Sequence, residues 1–254
     1  RFRARPWDIT TQKTVCTMCS NGCTLYADSR SGKVVRFNAR ENPEVNEVWT
    51  CDKGKFEQTY MHAPDRILQP MVRRGKEWEP IRWGDAYTLI LQRRDALSQN
   101  GSGRAIAGLA GHRLSNESLY LFQKLLRGAF QTNNLDHRFT RYQDALTAPP
   151  VQNEYRDLEA TALVLVFGAD LADEQPMVFL RTRKAWRHYG VKVAVAYPVA
   201  NAVEEFAETR LRYRAGSELA LVKGLLYILL DKLPAETVAA NLPDHEWLQA
   251  LLQN

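Results

Sequence analysis

All four cysteines of this 254-residue chain lie at or before residue 51, in the pattern C-x2-C-x3-C-x27-C. Cys16, Cys19 and Cys23 fall within "CTMCSNGC", and Cys51 follows in "WTCDKGKF". A compact triple with one distant partner is the spacing that a 4Fe–4S cluster needs, because one loop can bind three irons while a remote segment binds the fourth. Structural zinc sites usually combine two separated pairs of ligands. The spacing therefore favours a cluster, with zinc and metal-free structural thiols as alternatives.

The composition is that of an ordinary soluble protein. Hydrophobic residues make up 45% and charged residues 25% of the chain, and no apolar run reaches the length of a membrane span. Disulfides are typical of small secreted domains, and the basic amino-terminal stretch leads into no hydrophobic export signal. We therefore expect a cytoplasmic setting without direct membrane insertion. Acidic and basic residues alternate along the chain, whose net charge is +5, so we expect no nucleic-acid partner.

Short strands and turns are predicted around the cysteines. In "TLYADSRSGKVVRFNA", apolar and polar residues alternate on either side of "SRSG", which is typical of a β-hairpin. Small polar neighbours of the cysteines (Thr17, Ser20, Asn21 and Thr24) can offer hydrogen bonds to sulfur. The sequence therefore predicts a small β-rich domain at residues 12–65 that holds the metal.

The second half of the chain predicts alternating strands and helices. "ALVLVF" (162–167) is a continuous apolar run, which suits a strand buried on both faces. The next helix is predicted to have Asp173 as its cap, Pro176 in its first turn and Gly190 at its end. Basic residues crowd the second half of this helix and partly complement its dipole. "VKVAVAY" (191–197) follows as a second strand, so the connection is a parallel crossover.

An earlier unit repeats this arrangement. "RAIAGLA" (104–110) is a predicted strand, and the helix after it carries apolar residues along one face. Together the two units predict a doubly wound, Rossmann-like α/β domain. "FGAD" is a strand-end glycine rather than the G-x-G-x-x-G motif, so a plain tight turn is expected there instead of a nucleotide site. The histidines have no metal-ligand spacing and are expected to be structural or at the surface: His62, His112, His137, His188 and His245.

Three longer segments carry a resemblance to a known family: "TVCTMCSNGCTLYADSRSGKVVRF", "PEVNEVWTCDKGKF" and "DRILQPMVRRGKEWEPIRWGDAYTLI". They resemble the amino-terminal cluster domain of the molybdopterin oxidoreductase superfamily, and within it the large iron–sulfur (G-type) subunits of bacterial respiratory complex I. The resemblance implies an incomplete piece of a peripheral-arm subunit that carries one additional 4Fe–4S cluster apart from the main electron path. The implied partners are other peripheral-arm subunits and the remainder of its own subunit, at the cytoplasmic face of the inner membrane.

The same resemblance shows which family features are missing. Molybdopterin enzymes usually carry an Asp-Pro-Arg motif after the second strand, whereas this segment is "AYPVAN", with Tyr197 and Val199 at those positions. Asp144 is the one conceivable molybdenum ligand, and it is more typical of a helix surface. We therefore expect no molybdopterin. Lys53 corresponds to a lysine that lies between cluster and pterin in molybdenum enzymes, and here we expect its positive charge to stabilise the cluster.

The sequence thus predicts a cluster-binding domain at 1–68 and a molybdopterin-oxidoreductase-like α/β domain at 69–254, incomplete and without pterin. Cys16, Cys19, Cys23 and Cys51 are the predicted ligands of one 4Fe–4S cluster, with Lys53 beside it. The predicted function is that of the iron–sulfur segment of NADH:quinone oxidoreductase, electron-transferring or structural, with no complete active site in this chain. One alternative is the amino-terminal part of a molybdopterin-dependent enzyme of the formate dehydrogenase or nitrate reductase type. A zinc-stabilised, non-redox interaction module is the other.

Overall fold

The computed structural model describes residues 4–98, 103–111, 113–136, 153–234 and 236–238. Contacts divide the chain into two compact units. The first comprises Arg1–Asn42 and Val48–Gln152, and the second comprises Pro43–Glu47 and Asn153–Asn254. The contacts thus group residues 69–152 with the cysteine region. The predicted boundary between residues 68 and 69 remains a prediction.

The first unit begins with a three-stranded antiparallel sheet in the order β1–β2–β3. Its strands are β1 (Thr10–Val15), β2 (Thr24–Arg30) and β3 (Lys33–Ala39). Ser31 and Gly32 form the turn between β2 and β3, with φ angles of 50° and 75°. Two consecutive residues with positive φ give the turn that matches the twist of paired strands, and glycine adopts this conformation without strain. The hairpin predicted around "SRSG" is confirmed.

Besides the 3-10 helices Pro6–Asp8, Glu57–His62 and Gly103–Ala105, the rest of the first unit consists of α-helices and short strands. They are α1 (Asp52–Phe56), β4 (Met71–Arg74), β5 (Glu77–Pro80), α2 (Trp83–Ser98), β6 (Gly108–Leu109), α3 (Asn116–Gly128) and β7 (Leu135–Asp136). β4 and β5 form an antiparallel hairpin, and β6 pairs with β7 in parallel. The strand predicted at 104–110 has only two residues, Gly108 and Leu109, and its first two predicted residues lie in the 3-10 helix Gly103–Ala105. Leu126 of α3 is buried and packs directly against Gly108, where a methyl group would lie 1.9 Å from Leu126 Cδ1.

A buried carboxylate joins the three strands of the first sheet. Asp28 is 3% exposed, and its Oδ1 accepts a hydrogen bond of 2.6 Å from Thr11 Oγ1. Its Oδ2 accepts bonds of 2.5 Å from Arg36 Nε and 3.0 Å from Asn38 Nδ2. Burial raises the pKa of Asp28, but the bonds from Thr11, Arg36 and Asn38 outweigh it, so the pKa lies below its ordinary value. The carboxylate therefore stabilises this sheet while it is charged.

Replacing Asp28 with asparagine is expected to lower the free energy of unfolding of this sheet by about 2 kcal/mol at pH 7, because a charged acceptor of three bonds is lost. A pKa that is lowered by folding gives stability above the unfolded pKa of about 3.9 and loses it as pH falls through the folded value. The difference between the two proteins should therefore shrink below about pH 4. Hydrogen exchange of the β2 amides in the two proteins, at pH 7 and below about pH 4, measures this difference in stability. Asp8→Asn is the control, since Asp8 is exposed and forms an ion pair of 3.8 Å with Arg30, and its replacement should change stability by less than about 1 kcal/mol.

The second unit contains a three-stranded parallel sheet in the order β10–β9–β8. Its elements are β8 (Leu163–Phe167), α4 (Leu171–Glu174), α5 (Pro176–Tyr189), β9 (Lys192–Ala196), β10 (Thr209–Leu211) and α6 (Glu218–Lys232). The 3-10 helices Tyr155–Glu159 and Ala202–Glu205 complete it. Its core combines both strand and helix residues: Val166, Leu171, Val193, Val195, Val203, Phe206 and Ala207. The parallel crossover predicted between the two apolar strands is confirmed.

Two predicted details of this crossover are wrong. β8 is not buried on both faces: Leu163 and Leu165 are 55% and 49% exposed, while Val166 is buried. A continuous apolar run therefore does not show how many faces of the strand are covered. Asp173 does not cap the long helix, because it lies within the separate α4, and Gln175 is the N-cap residue of α5. Pro176 at the first position of α5 and Gly190 at its end agree with the prediction.

Within the described ranges, no helix combines the length and the apolar character that a membrane span requires. The most apolar of the long helices, α6, has 15 residues.

Candidate metal centre

Three of the four cysteines lie in the loop that joins two paired strands. Cys16 directly follows β1, and Cys23 directly precedes β2. The antiparallel pairing of Val15 with Thr24 brings the two ends of this loop together, and the backbone N–H of Cys16 donates to the carbonyl of Cys23 at 2.8 Å. Cys19 lies between them. The sheet register thus fixes where the cysteine loop begins and ends.

The fourth cysteine reaches this loop from a different segment. Cys51 is the N-cap residue of α1, and Gly54 is buried one turn later. A methyl group at Gly54 would lie 3.2 Å from Cys16 Sγ and 4.0 Å from Cys51 Sγ. A methyl group here would crowd Thr50 Oγ1 and Cys16 Sγ, so glycine lets the Cys16 sulfur approach the helix backbone closely. The structure therefore brings together Cys16 and Cys51, which lie far apart in the sequence.

The thiols influence one another's protonation. Burial raises the pKa of Cys23 to about 11; a hydrogen bond from Asn21 opposes this, and Cys16, Cys19 and Cys51 add to it. Burial also raises the pKa of Cys16, again with contributions from Cys19 and Cys51. Thiolates disfavour one another when they share a partly buried site without a counter-charge. Metal binding supplies this counter-charge and displaces the protons.

The donor groups at this centre are four thiols. Within the described ranges, no three His, Cys, Asp or Glu side chains form a group that could hold a metal ion. In a 4Fe–4S cluster each thiolate binds a different iron, so the four sulfurs are spread around a larger group. A buried hydroxyl without a hydrogen-bond partner, Thr50 Oγ1, lies 3.0 Å from the methyl position at Gly54. A sulfur-rich cofactor would bind the four thiols. It would also give the unpaired hydroxyl beside two of them an acceptor for its hydrogen.

Lys53 lies in the first turn of α1, two residues after Cys51. Lys53 and Cys16 line the same cavity of about 230 Å³, together with Gly54, Tyr60 and Met61. This places the lysine on the side of the centre where Cys16 lies. A positive charge near clustered thiolates favours their charged form.

The hydrogen-bond donors predicted for the sulfurs have mixed outcomes. Asn21 Nδ2 donates to Cys23 Sγ at 3.0 Å, as expected. Thr24 instead donates to the carbonyl of Arg40 at 2.8 Å, because its side chain lies in β2 beside the end of β3. Thr50 and Gly54 were not among the residues predicted from the sequence. The signal available for them was their position within one helical turn of Cys51.

The remaining predicted residues lie away from the cysteines in the sequence. His62 Nε2 accepts a bond of 2.9 Å from the N–H of Val34, which is the structural role expected of it, and His188 is exposed in the last turn of α5. Tyr197 packs against the core of the second unit, and Val199 is 62% exposed after the end of β9. Four further residues singled out in the sequence lie outside the described residues: His112, His137, Asp144 and His245.

Comparisons with known proteins agree with this geometry. Residues 66–239 match the family described as "Molybdopterin oxidoreductase", and residues 9–63 match "Molybdopterin oxidoreductase Fe4S4 domain". The Fe4S4 match contains all four cysteines, which supports an iron–sulfur centre in this region. Among solved structures, acetylene hydratase from Pelobacter acetylenicus has a similar fold, with a TM-score of 0.71 over 95% of this chain and 35% of its own, at 19% identity.

Two curated relatives are more similar in sequence. The G-type subunit of NADH-quinone oxidoreductase from Streptomyces coelicolor is 36% identical over 242 residues, which is 86% of this chain. The alpha subunit of NADPH-Fe(3+) oxidoreductase from Geobacter sulfurreducens is 32% identical over 240 residues, or 91% of this chain. The chain spans 28% of the length of each relative. The resemblance to G-type subunits and the predicted α/β fold class are confirmed. Because the family match covers more than half of the sequence and the fold agrees with it, this chain belongs to the molybdopterin oxidoreductase family.

Proposed function

We propose that this chain is the iron–sulfur segment of a G-type subunit of an NADH:quinone oxidoreductase. In this proposal Cys16, Cys19, Cys23 and Cys51 bind one 4Fe–4S cluster. One observation carries this proposal. The sulfurs of Cys16 and Cys51, which come from two distant segments, lie 3.2 Å and 4.0 Å from the methyl position at Gly54. The similarity to the G-type subunit from Streptomyces coelicolor supports the choice of complex.

The residues around the thiols would hold and balance the charge of such a cluster. When bound, a 4Fe–4S cluster accepts or releases one electron. Asn21 already donates to Cys23 Sγ and would lower the charge density on that ligand. Lys53 shares a cavity with Cys16, and we assign it the role of a counter-charge. These groups orient and stabilise the ligands, and none of them is assigned a catalytic role.

We further propose that the chain binds no molybdopterin. Tyr197 and Val199 stand where molybdopterin enzymes place the acidic and basic residues of their Asp-Pro-Arg motif. Tyr197 packs its phenol against the core, and Val199 has an exposed isopropyl group. Neither side chain offers a carboxylate or a guanidinium to bind a pterin dinucleotide. The function is therefore structural or electron-transferring rather than catalysis at a molybdenum atom.

The proposed setting follows from the same relatives. The partners would be other peripheral-arm subunits and the remainder of the subunit itself, at the cytoplasmic face of the inner membrane. The electron donor would be bound by another part of the complex, and nucleic acid and direct membrane insertion are not part of the proposal.

Metal analysis of the chain tests the proposal. After anaerobic reconstitution we expect about four irons and four sulfides per chain and a brown colour, because four thiolates can complete one cube. Colorimetric iron and sulfide assays, elemental analysis for zinc and molybdenum, and a visible spectrum measure this. A colourless protein with one zinc would favour the interaction module. A guanine-containing pterin in an acid extract of protein isolated from its native cells would favour the molybdopterin-dependent enzyme.

A further inference from the structure

The hydroxyl of Thr50 is a buried donor with no hydrogen-bond partner among the described residues. Buried polar groups in proteins nearly always have a partner, because a hydroxyl that leaves water without gaining a bond destabilises the fold. Thr50 immediately precedes Cys51, the N-cap residue of α1, so its backbone is fixed by the start of that helix. An unsatisfied donor at this place points to an acceptor that the polypeptide itself does not supply.

The surroundings of this hydroxyl identify the chemistry of the acceptor. A methyl group at Gly54 would lie 3.0 Å from Thr50 Oγ1, 3.2 Å from Cys16 Sγ and 4.0 Å from Cys51 Sγ. The hydroxyl and the two sulfurs therefore surround one point on the first turn of α1. Thr50 lies on the side of the centre where ligands from two separate segments meet.

We propose that the Thr50 hydroxyl donates a hydrogen bond to a sulfur on the Cys16–Cys51 side of the bound cluster and thereby raises its reduction potential. This inference rests on the proposed function, in which these cysteines hold a 4Fe–4S cluster. A hydroxyl has one hydrogen to donate, and thiolate and sulfide sulfurs are negatively charged acceptors. The reduced cluster carries one more negative charge than the oxidised cluster, so the donor stabilises the reduced form more. Thr50 is thus a positioning residue that tunes the centre.

Thr50→Val and Thr50→Ser test this, because valine keeps the shape of threonine without the hydroxyl and serine keeps the hydroxyl. Both variants are reconstituted as full chains, and their midpoint potentials are measured by redox titration followed by EPR. We expect Thr50→Val to lower the equilibrium constant of reduction about fivefold, which is about 40 mV for a one-electron couple in which tenfold is about 59 mV. Thr50→Ser should keep most of the wild-type potential.

A second readout and a matched control separate this role from packing. Pulsed EPR in deuterated water should detect an exchangeable deuteron near the reduced cluster that Thr50→Val lacks and Thr50→Ser retains. Thr59→Val, at an exposed threonine of the same unit, should change neither the potential nor this signal. Equal potentials and equal deuteron signals in wild type and Thr50→Val, each with four irons, would overturn the proposal.

Loss of iron is also informative. If Thr50→Val and Thr50→Ala lose iron while Thr50→Ser keeps it, the centre needs the hydroxyl, in agreement with the proposal. If Thr50→Ser loses iron as well, the residue acts through packing and the proposal is wrong. A wild-type chain that holds one zinc and no iron would instead contradict the proposed function, because it has no cluster potential to tune.

Discussion

Replacing Cys51 with serine is expected to reduce the bound iron from about four to three or fewer per chain and to make the remaining cluster labile. Cys51 is the proposed ligand from a separate segment, and no other cysteine is available to take its place, because the chain has only four. A serine hydroxyl at the same position ionises far less readily than a thiol and is a poor ligand for iron. Iron and sulfide assays after reconstitution measure the change, and the EPR spectrum of the oxidised protein distinguishes a three-iron species.

The control for this experiment is a neighbouring change outside the proposed ligand set. Glu57→Gln alters an exposed residue just after α1 and should retain four irons with an unchanged rate of iron loss to a chelator. If Cys51→Ser also retains four irons and the wild-type spectrum, Cys51 is not a ligand. The proposal of a three-plus-one ligand set would then be wrong.

Replacing Arg181 with methionine is expected to lower the free energy of unfolding of the second unit by about 2–3 kcal/mol, because it removes charged hydrogen bonds from two half-buried carboxylates and leaves them with Lys184 alone. Arg181 is 4% exposed, and its Nη1 donates to Glu159 Oε1 at 2.8 Å and lies 3.3 Å from Glu47 Oε1. Its Nη2 donates to the carbonyl of Pro43. Lys184 completes the group, with Nζ 2.5 Å from Glu47 and 2.9 Å from Glu159.

The ion pairs favour the ionised forms of the Glu159 and Lys184 side chains. Burial raises the pKa of Glu159, but hydrogen bonds from Lys184 and Arg181 outweigh it and the pKa is lowered. Hydrogen bonds to Glu47 and Glu159 raise the pKa of Lys184. The lowered carboxyl pKa gives stability that is lost as pH falls below about 4, and the raised lysine pKa gives stability that is lost as pH rises above about 10. The effect of Arg181→Met should therefore be largest between these limits.

Hydrogen exchange of the β8 and β9 amides measures the stability of this unit separately from the cysteine region, since a chain of two units need not unfold in one step. Arg183→Met is the matched control, because Arg183 is exposed on the same helix and its loss should change stability by about 0.5 kcal/mol or less. Equal effects of the two substitutions would show that the ion pairs contribute no more than a surface charge.

The same group shows a limit of sequence-based prediction. The basic residues of α5 were expected to complement the helix dipole in part, and Arg187 and His188 do lie in its last turn. Arg181 and Lys184 instead pair with Glu47 and Glu159. Glu47 lies 137 residues from Lys184 in the sequence and has a left-handed backbone with φ of 49°, which a non-glycine residue rarely adopts. Helical spacing reveals which residues share a face, but it carries no information about a distant partner.

Local signals in the sequence did determine several features of the protein. The spacing of Cys16, Cys19, Cys23 and Cys51 indicated the kind of metal centre and, with its flanking residues, the family. "SRSG" predicted the hairpin because its conformation depends on a few adjacent dihedral angles, and Gly190 predicted the end of α5 for the same reason. The apolar runs predicted the paired strands β8 and β9, since short runs of this composition favour strands.

Only the tertiary structure decided which side chains surround the cysteines and which faces are covered. Thr50 and Gly54 became candidates for the metal centre because the β1–β2 pairing and the start of α1 bring Cys16 and Cys51 to one point. The exposed side chains of β8 and the two-residue length of β6 likewise depend on neighbours elsewhere in the chain. The physical reason is that dihedral preferences and hydrophobic periodicity are local, whereas burial and hydrogen bonding are settled by contacts between segments far apart in the sequence.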